Sequence, residues 1–462
     1  MRIVFFIIVL FCSALMYSAE AYIYGRDLSY SGEKFEFYTY ADPITKTPIS
    51  LGLLSVKGDG TFKGSINIEE TSYVYFETGT YHLYFYAEPN EKYQLVLPPK
   101  TEKTKAEKLN PYWAPEHIHI GIKGMKKSDL NYLIMDFDYF FELYLDENML
   151  DLVAKGKNSG LDDFIKDIDK AFPSGGNLYF ESYKKYSFAM LRHIAYERKT
   201  SVVSFKYFKN DSVCYNNPAY TALFNKIFKD YFDDLFLDPI GPLIYRSVVY
   251  GHSIKALKKA LSFKIELRNE QLKELVILKG IHDAFYNTNY TWTSLLLTLD
   301  SLCIATPYPK HREIGQSIAD KVLTMAAGTL APKFKLSDSD GDTVNITDYR
   351  NEFVYLNFID TEAYTCQQEL ELLKVLHNKH KAFFKVISIV TDKNVAKAKY
   401  FLKQKGYDWT FLFTNGDESV PQKYKVVAYP SYYLIGPQNE LILSPAPTPL
   451  EGFERVFFSI TR

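Results

Sequence analysis

Val354-Tyr355-Leu356-Asn357-Phe358 is an apolar run of strand length, and the stretch Asp360-Thr361-Glu362-Ala363-Tyr364-Thr365-Cys366-Gln367-Gln368-Glu369-Leu370 behind it turns polar and then helical. Runs of the first kind are buried on both faces of a parallel sheet. Cys366, Leu370, Leu373 and His377 stand at i, i+4, i+7 and i+11, which is one stripe of a helix. A second apolar run, Phe383 to Val390, comes after helical spacing over Glu369 to Lys379. Val395 to Lys405 is again helical. Tyr432 to Ile435 and Leu441 to Leu443 form a hairpin about Gly436 to Asn439. Strand, helix, strand, helix and hairpin over residues 329–462 predict an α/β layer domain.

Further landmarks flank this core: Ala331-Pro332-Lys333-Phe334, Leu336, Asp340-Gly341, Val344, Ile346 and Tyr349-Arg350 before it, then Val386-Ile387-Ser388-Ile389-Val390-Thr391-Asp392 and Tyr424-Lys425-Val426-Val427-Ala428-Tyr429-Pro430-Ser431 after it. In this order they resemble a TlpA/ResA-type thioredoxin domain, close to the AhpC/TSA-related peroxiredoxin group. With a β-rich region and a helical insert ahead of it, the chain is also similar to exported TlpA-like proteins of Bacteroidota, whose amino-terminal domain is often a small sandwich.

The resemblance implies thiol-disulfide chemistry at two cysteines three apart. The first is a thiolate at a helix start, where orphan amides and the dipole lower its pKa. The second resolves the mixed disulfide. Aligned on Phe358, Ala363 takes the nucleophile position and Cys366 the resolving one, so the C-x-x-C is degenerate, Ala363-Tyr364-Thr365-Cys366. By the same resemblance Pro430 is the cis proline that presents backbone to an extended peptide. The implied active-site region is Ala363, Tyr364, Thr365 and Pro430, with Cys366 as the candidate thiol.

Two readings of Cys366 remain. Its stripe with Leu370 and Leu373 points to a packed thiol of raised pKa, and apolar burial makes such a thiol inert. The helix start favours thiolate and leaves room for monothiol chemistry or mixed-disulfide capture.

The chain has 462 residues, a soft prior of roughly three domains. Charged residues balance, 54 basic against 55 acidic, so nothing marks a nucleic-acid binder. Apolar residues at 47% suffice for large cores, and the 38 Tyr and 34 Phe read first as packing rings. Arg2, the unbroken apolar run Ile3 to Phe11 and Ala19-Glu20-Ala21 describe a secretory signal peptide cleaved after Ala21. Export to the periplasm or cell envelope is expected, without a transmembrane span in the mature chain. Cys12 follows Phe11 rather than a small residue, so no lipid anchor is expected. Removing Cys12 leaves Cys214, Cys303 and Cys366, too few for a disulfide scaffold, and whether Cys214 and Cys303 pair stays open.

Residues 22–125 read as an antiparallel β-sandwich. Its short strands are Lys34 to Tyr38, Gly64 to Ile68, Tyr73 to Phe76 and Tyr93 to Leu97, with Gly58-Asp59-Gly60 and Pro89-Asn90 as turns. Residues 126–328 read as an all-α region. Ser128 or Asp129 caps its first helix; further helices are predicted over Asn217 to Phe236, Ser253 to Ser262, Asn269 to Tyr286 and Arg312 to Ala327, the last closed by Gly328. The expected class is thus multidomain α+β.

Other motifs weigh less. His117-Ile118-His119 puts two histidines on one strand face without a third metal ligand, and Asp338-Ser339-Asp340-Gly341-Asp342 lacks the closing acid of a calcium loop and reads as a hairpin turn. No G-x-S-x-G, P-loop or H-E-x-x-H is present, and no cofactor is called for. Two functions are in view. One is an exported thiol-disulfide protein with reduced or altered redox activity. The other is a non-enzymatic peptide-binding or scaffold protein of the envelope, holding an exported polypeptide or partner protein at the groove near Ala363 and Pro430.

Overall fold

The computed structural model describes residues 19–461 except 105, 108–109, 111–112, 151–159, 196–199, 210–211 and 288. The apolar run Ile3 to Phe11 and Cys12 lie outside the described residues. Two compact units emerge, one of residues up to Thr101 together with Pro115–Ser317, the other of Glu102–Ala114 with Ile318–Arg462.

The first unit opens with two sheets that share a core. β1 (Glu20–Arg26), β4 (Thr61–Asn67), β7 (Lys92–Val96) and β9 (Gly121–Ile122) form one, in the order β4-β1-β7-β9. β2 (Lys34–Tyr40), β3 (Pro48–Ser55), β5 (Ser72–Thr78), β6 (Tyr81–Ala87) and β8 (Glu116–His119) form the other, in the order β3-β2-β5-β6-β8. Alternation along the strands explains the shared core: Ile23, Phe35, Phe37, Phe76, Leu83 and Phe85 all turn into it. The sheets are mixed, not antiparallel as expected. β1 runs parallel to β7 and β6 parallel to β8. Turn residues fix the direction of hairpin neighbours alone, whereas these pairs are separated by whole strands or long connections.

Helices make up the rest of the first unit. α1 is Leu130–Leu150, α2 Leu161–Ala171, α3 Leu178–Ala195, α4 Thr200–Tyr207, α5 Pro218–Ile227, α6 Tyr231–Asp234 and α7 Gly241–Val249. α8 is Ile254–Leu261, α9 Glu270–Ala284 and α10 Trp292–Ala305, and α11 (Pro309–Leu323) runs on into the second unit. Several caps are those legible in the sequence: the side chains of Asn217, Ser253 and Asn269 accept from the N–H groups of Tyr220, Ala256 and Leu272. Two helices differ from expectation. Asn217 to Phe236 is broken into α5 and α6, with Asp230 left-handed at φ 51 between them. The last helix starts earlier and ends at Leu323. Gly328 is left-handed at φ 87, but Met325 already turns the chain at φ 66, so Gly328 does not cap this helix.

In the second unit one seven-stranded sheet is ordered β11-β10-β14-β13-β12-β15-β16. Its strands are β10 (Lys335–Ser337), β11 (Thr343–Asn345), β12 (Phe353–Ile359), β13 (Phe384–Val390), β14 (Thr410–Phe413), β15 (Ser431–Ile435) and β16 (Leu441–Leu443). α12 (Tyr364–His380), α13 (Val395–Lys405), α14 (Ser419–Lys423) and α15 (Phe453–Ile460) complete the unit. The central strands are parallel, β12 to β13 and β13 to β14, while β15 runs against β12. Each sheet face carries its own core. Tyr355, Leu370 and Leu373 lie on one side, and Leu356, Phe358 and Ile389 on the other. A buried chain of polar groups crosses the strands: the Trp409 indole N–H donates to Ser388 Oγ at 2.9 Å, and Ser388 donates to Asn357 Oδ1 at 2.6 Å. Gly406, left-handed at φ 61, closes α13.

Candidate functional site

The site forms where β12 ends and α12 begins. Its turn is held from below by Asp392, just past the end of β13, whose carboxylate accepts from the Thr361 N–H at 2.8 Å and the Thr361 hydroxyl at 2.5 Å. Burial raises the Asp392 pKa, and those two donors oppose the rise. Asp360 closes the turn, accepting from the N–H of Glu362 at 2.8 Å. Gln367 folds back to donate to the Thr361 carbonyl at 2.8 Å.

Ala363 is the N-cap residue of α12 and offers no capping side chain. Tyr364 is 71% exposed, with its hydroxyl accepting from Gln368 Nε2 at 2.9 Å. Thr365 donates to the carbonyl of Tyr429 at 3.4 Å and so ties the helix start to the segment carrying Pro430. The Tyr429-Pro430 peptide is cis. Ser431 follows and stands in register with Phe358 of β12. Ala363, Tyr364, Thr365 and Pro430 therefore surround one end of β12 and β15.

Cys366 does not open onto this surface. It is 0% exposed and belongs to the core of Tyr355, Leu370, Leu373 and Val390. Burial pushes its thiol up to about 12; a backbone hydrogen bond at Asp360 opposes this, and the charges of Asp360, Asp392 and Glu369 add to it. At neutral pH such a thiol stays protonated, and the thiolate is the nucleophile.

Glu369 is a residue that the sequence reading passed over. It sits three residues beyond Cys366, at helical spacing, and is 9% exposed. Burial raises its pKa. Its Oε2, the Tyr432 hydroxyl and Asn357 Nδ2 are buried without hydrogen-bond partners among the described residues. Buried polar groups are usually paired, so this strand-and-helix interior is an unspent polar patch beneath the helix start.

The remaining candidates resolve into local roles. The His117 ring stacks on His82 at 4.2 Å, whereas His119 Nε2 hydrogen-bonds Asn131 Oδ1 at 3.0 Å. Asp338 Oδ1 accepts from the N–H groups of Asp340 and Asp342, both at 2.9 Å, which builds the β10–β11 turn. Cys214 and Cys303 are half-buried thiols that form no disulfide. Among the described residues no group of three or more His, Cys, Asp or Glu side chains is arranged to hold a metal.

Residues 327–443 match the model of the AhpC/TSA family. The chain is 27% identical over 128 residues to the thiol-disulfide oxidoreductase ResA of Bacillus cereus, covering 28% of this chain and 73% of that protein. This domain belongs to the TlpA/ResA-like thioredoxin-fold family. ResA of Bacillus subtilis is similar at 26% identity over 123 residues, covering 26% of this chain and 66% of that protein. Among solved structures, the thioredoxin domain of a thiol-disulfide oxidoreductase from Bacteroides vulgatus is 20% identical, covers 29% of this chain and 98% of that one, and gives a TM-score of 0.28. The thioredoxin-like domain thus occupies the carboxy-terminal part of a longer mixed α/β chain.

Proposed function

We propose that the chain is an exported thioredoxin-like protein of thiol-disulfide type whose redox site is degenerate, with activity reduced or altered relative to a two-cysteine relative. The burial of Cys366 carries this reading: the remaining thiol of Ala363-Tyr364-Thr365-Cys366 faces the core, while Ala363 occupies the nucleophile position by resemblance. A disulfide substrate needs an accessible thiolate to attack. Wild-type protein should therefore reduce insulin with dithiothreitol no faster than dithiothreitol alone. Turnover at a thioredoxin-like rate overturns the reading.

Export rests on the basic start, the apolar run and Ala19-Glu20-Ala21. Cleavage after Ala21 removes the pairs of Glu20 with Asn67 and Ala21 with Ile66, and keeps Ile23 paired with Gly64 and Tyr93. The mature chain then comprises a β-sandwich, a helical region and the thioredoxin-like domain. Mass spectrometry of the secreted protein tests this; an intact Met1 in the cytoplasm overturns it.

The second reading is a non-enzymatic holder of an exported polypeptide. Tyr364 at 71% and Val427 at 77% exposure favour it, because they flank the Thr365–Tyr429 contact in sequence as uncovered apolar surface. Peptide binding that survives Cys366→Ser separates this reading from monothiol capture.

A further inference from the structure

A cavity of about 310 Å³ opens in the first unit beside the carboxy-terminal end of β2. Thr39, Tyr40, Lys46, Tyr73, His117 and Tyr215 are among its lining residues, and Thr221 of α5 adds a hydroxyl. Ligand pockets span roughly 300–1,000 Å³, so this one suits a single small ring system.

Both walls are fixed by buried polar contacts. On the sheet side, Asp42 is 4% exposed and spends its carboxylate on its own loop, accepting from the N–H groups of Ile44 at 2.8 Å and Thr45 at 2.7 Å. Asn225 Nδ2 donates to the Pro43 carbonyl at 2.7 Å and ties that loop to α5. On the helical side, the Tyr215 hydroxyl meets His311 Nε2 at 2.8 Å and accepts from Gln271 at 3.1 Å. His311 Nδ1 in turn meets Glu274 Oε1 at 3.1 Å, and Lys258 donates to Glu274 Oε2 at 2.5 Å. His311 and Glu274 are both fully buried. A cavity held this way needs little ordering when a ligand arrives.

The lining leaves neutral groups unspent. The Tyr40 hydroxyl and the His117 ring nitrogens make no hydrogen bond among the described residues. Thr221 donates to the Pro218 carbonyl at 3.1 Å and keeps its oxygen available as an acceptor. The Tyr40 and Tyr73 rings stack, with centroids 6.0 Å apart and planes 8° from parallel. Burial raises both phenols, while burial and then His82 lower His117, so these groups are neutral at neutral pH. Asp42 and Lys46 are the opposite charges of one loop and balance.

We propose that this cavity binds a neutral saccharide ring. A sugar presents a C–H face to the tyrosines, and its hydroxyls can both donate and accept at Tyr40, His117 and Thr221. A cation would find no unpaired carboxylate here, and an anion attracted by Lys46 would meet Asp42.

The test uses the full mature chain, calorimetry and ligand-observed NMR, with glucose, galactose, N-acetylglucosamine and cellobiose as probes and adenine as a neutral non-sugar ring. At least one sugar should saturate the protein. Tyr40→Ala should weaken its binding by about tenfold or more, and Tyr40→Phe should lose less. Ala222→Trp, which fills the rim from a lining position, should abolish binding and serves should Tyr40→Ala fail to fold. The proposal falls if no sugar binds at millimolar concentration, if adenine binds and the sugars do not, or if sugar binding survives Ala222→Trp unchanged.

Discussion

Replacing Cys366 with Ser changes one buried atom and probes the thiol's environment from two sides. The sulfur lies at 0% exposure among Tyr355, Leu370, Leu373 and Val390, with the Asp360 backbone as its polar neighbour, and a hydroxyl costs more to bury there than a thiol. Burying an unsatisfied hydroxyl costs about 1–3 kcal/mol, which is the upper bound on the expected loss for Cys366→Ser in chemical denaturation. Reactivity gives the second magnitude. A thiol moved from 9.0 to about 12 by burial carries roughly a thousandth of the thiolate at neutral pH, since each unit is a factor of ten. Iodoacetamide followed by peptide mass spectrometry should therefore label native Cys366 far more slowly than half-buried Cys214, and equally fast once urea unfolds the chain. Rapid native labelling of Cys366, together with an unchanged denaturation midpoint for the Ser variant, would refute the packed-thiol reading and restore monothiol chemistry.

Three further outcomes are expected. Ser388→Ala leaves the buried Trp409 N–H without its acceptor and should destabilise by about 2 kcal/mol in urea titration, whereas loss below a few tenths would show that the chain through Asn357 contributes nothing. Burial raises Asp138 to about 7 from 3.8, against the pull of the Tyr183 hydroxyl. Between those values the unfolded chain gives up a proton that the fold keeps, so stability falls as pH rises through that window; Asp138→Asn should raise the melting temperature at pH 7.5 and lose that advantage at pH 4. The stacked His117 has the opposite sign: lowered from 6.5 by burial and by His82, it is fully stabilising above 6.5 and costs stability as pH falls below it. His117→Gln should narrow the gap in melting temperature between pH 7 and pH 5, and an unaltered gap would remove His117 from the acid response.

The thioredoxin-like domain was legible because its signals are local and mutually consistent. Apolar runs gave β12 and β13, helical spacing gave α13, and the 3.6-residue stripe correctly buried Cys366, Leu370 and Leu373. The first unit was less legible. Parallel pairing of β1 with β7 depends on long connections that no turn residue announces. α9 buries Leu272 to Ile281 nearly all round, so its amphipathic signal is weak even though Asn269 marks its start. α3 and α10 escaped for related reasons: aromatic residues on several faces blur the stripe in one, and α10 is apolar over much of its length. At the site, Ala363, Tyr364, Thr365 and Pro430 could be placed from ordered landmarks. Glu369 could not be singled out, because a carboxyl on a helix ordinarily faces water, and its burial is a product of the tertiary fold.

The most direct measurement is the activity of Ala363→Cys. If the scaffold around the turn of Asp360, Thr361 and Asp392 is that of a functional thioredoxin domain, this one substitution supplies an attacking thiol at the helix start and Cys366 resolves the mixed disulfide. The variant should form an internal disulfide between residues 363 and 366, seen as a loss of two mass units and two thiols, and should reduce insulin several-fold faster than wild type. An Ala363→Cys protein that folds, keeps both of these thiols reduced under oxidising conditions and leaves insulin untouched would show that the site has lost more than its nucleophile.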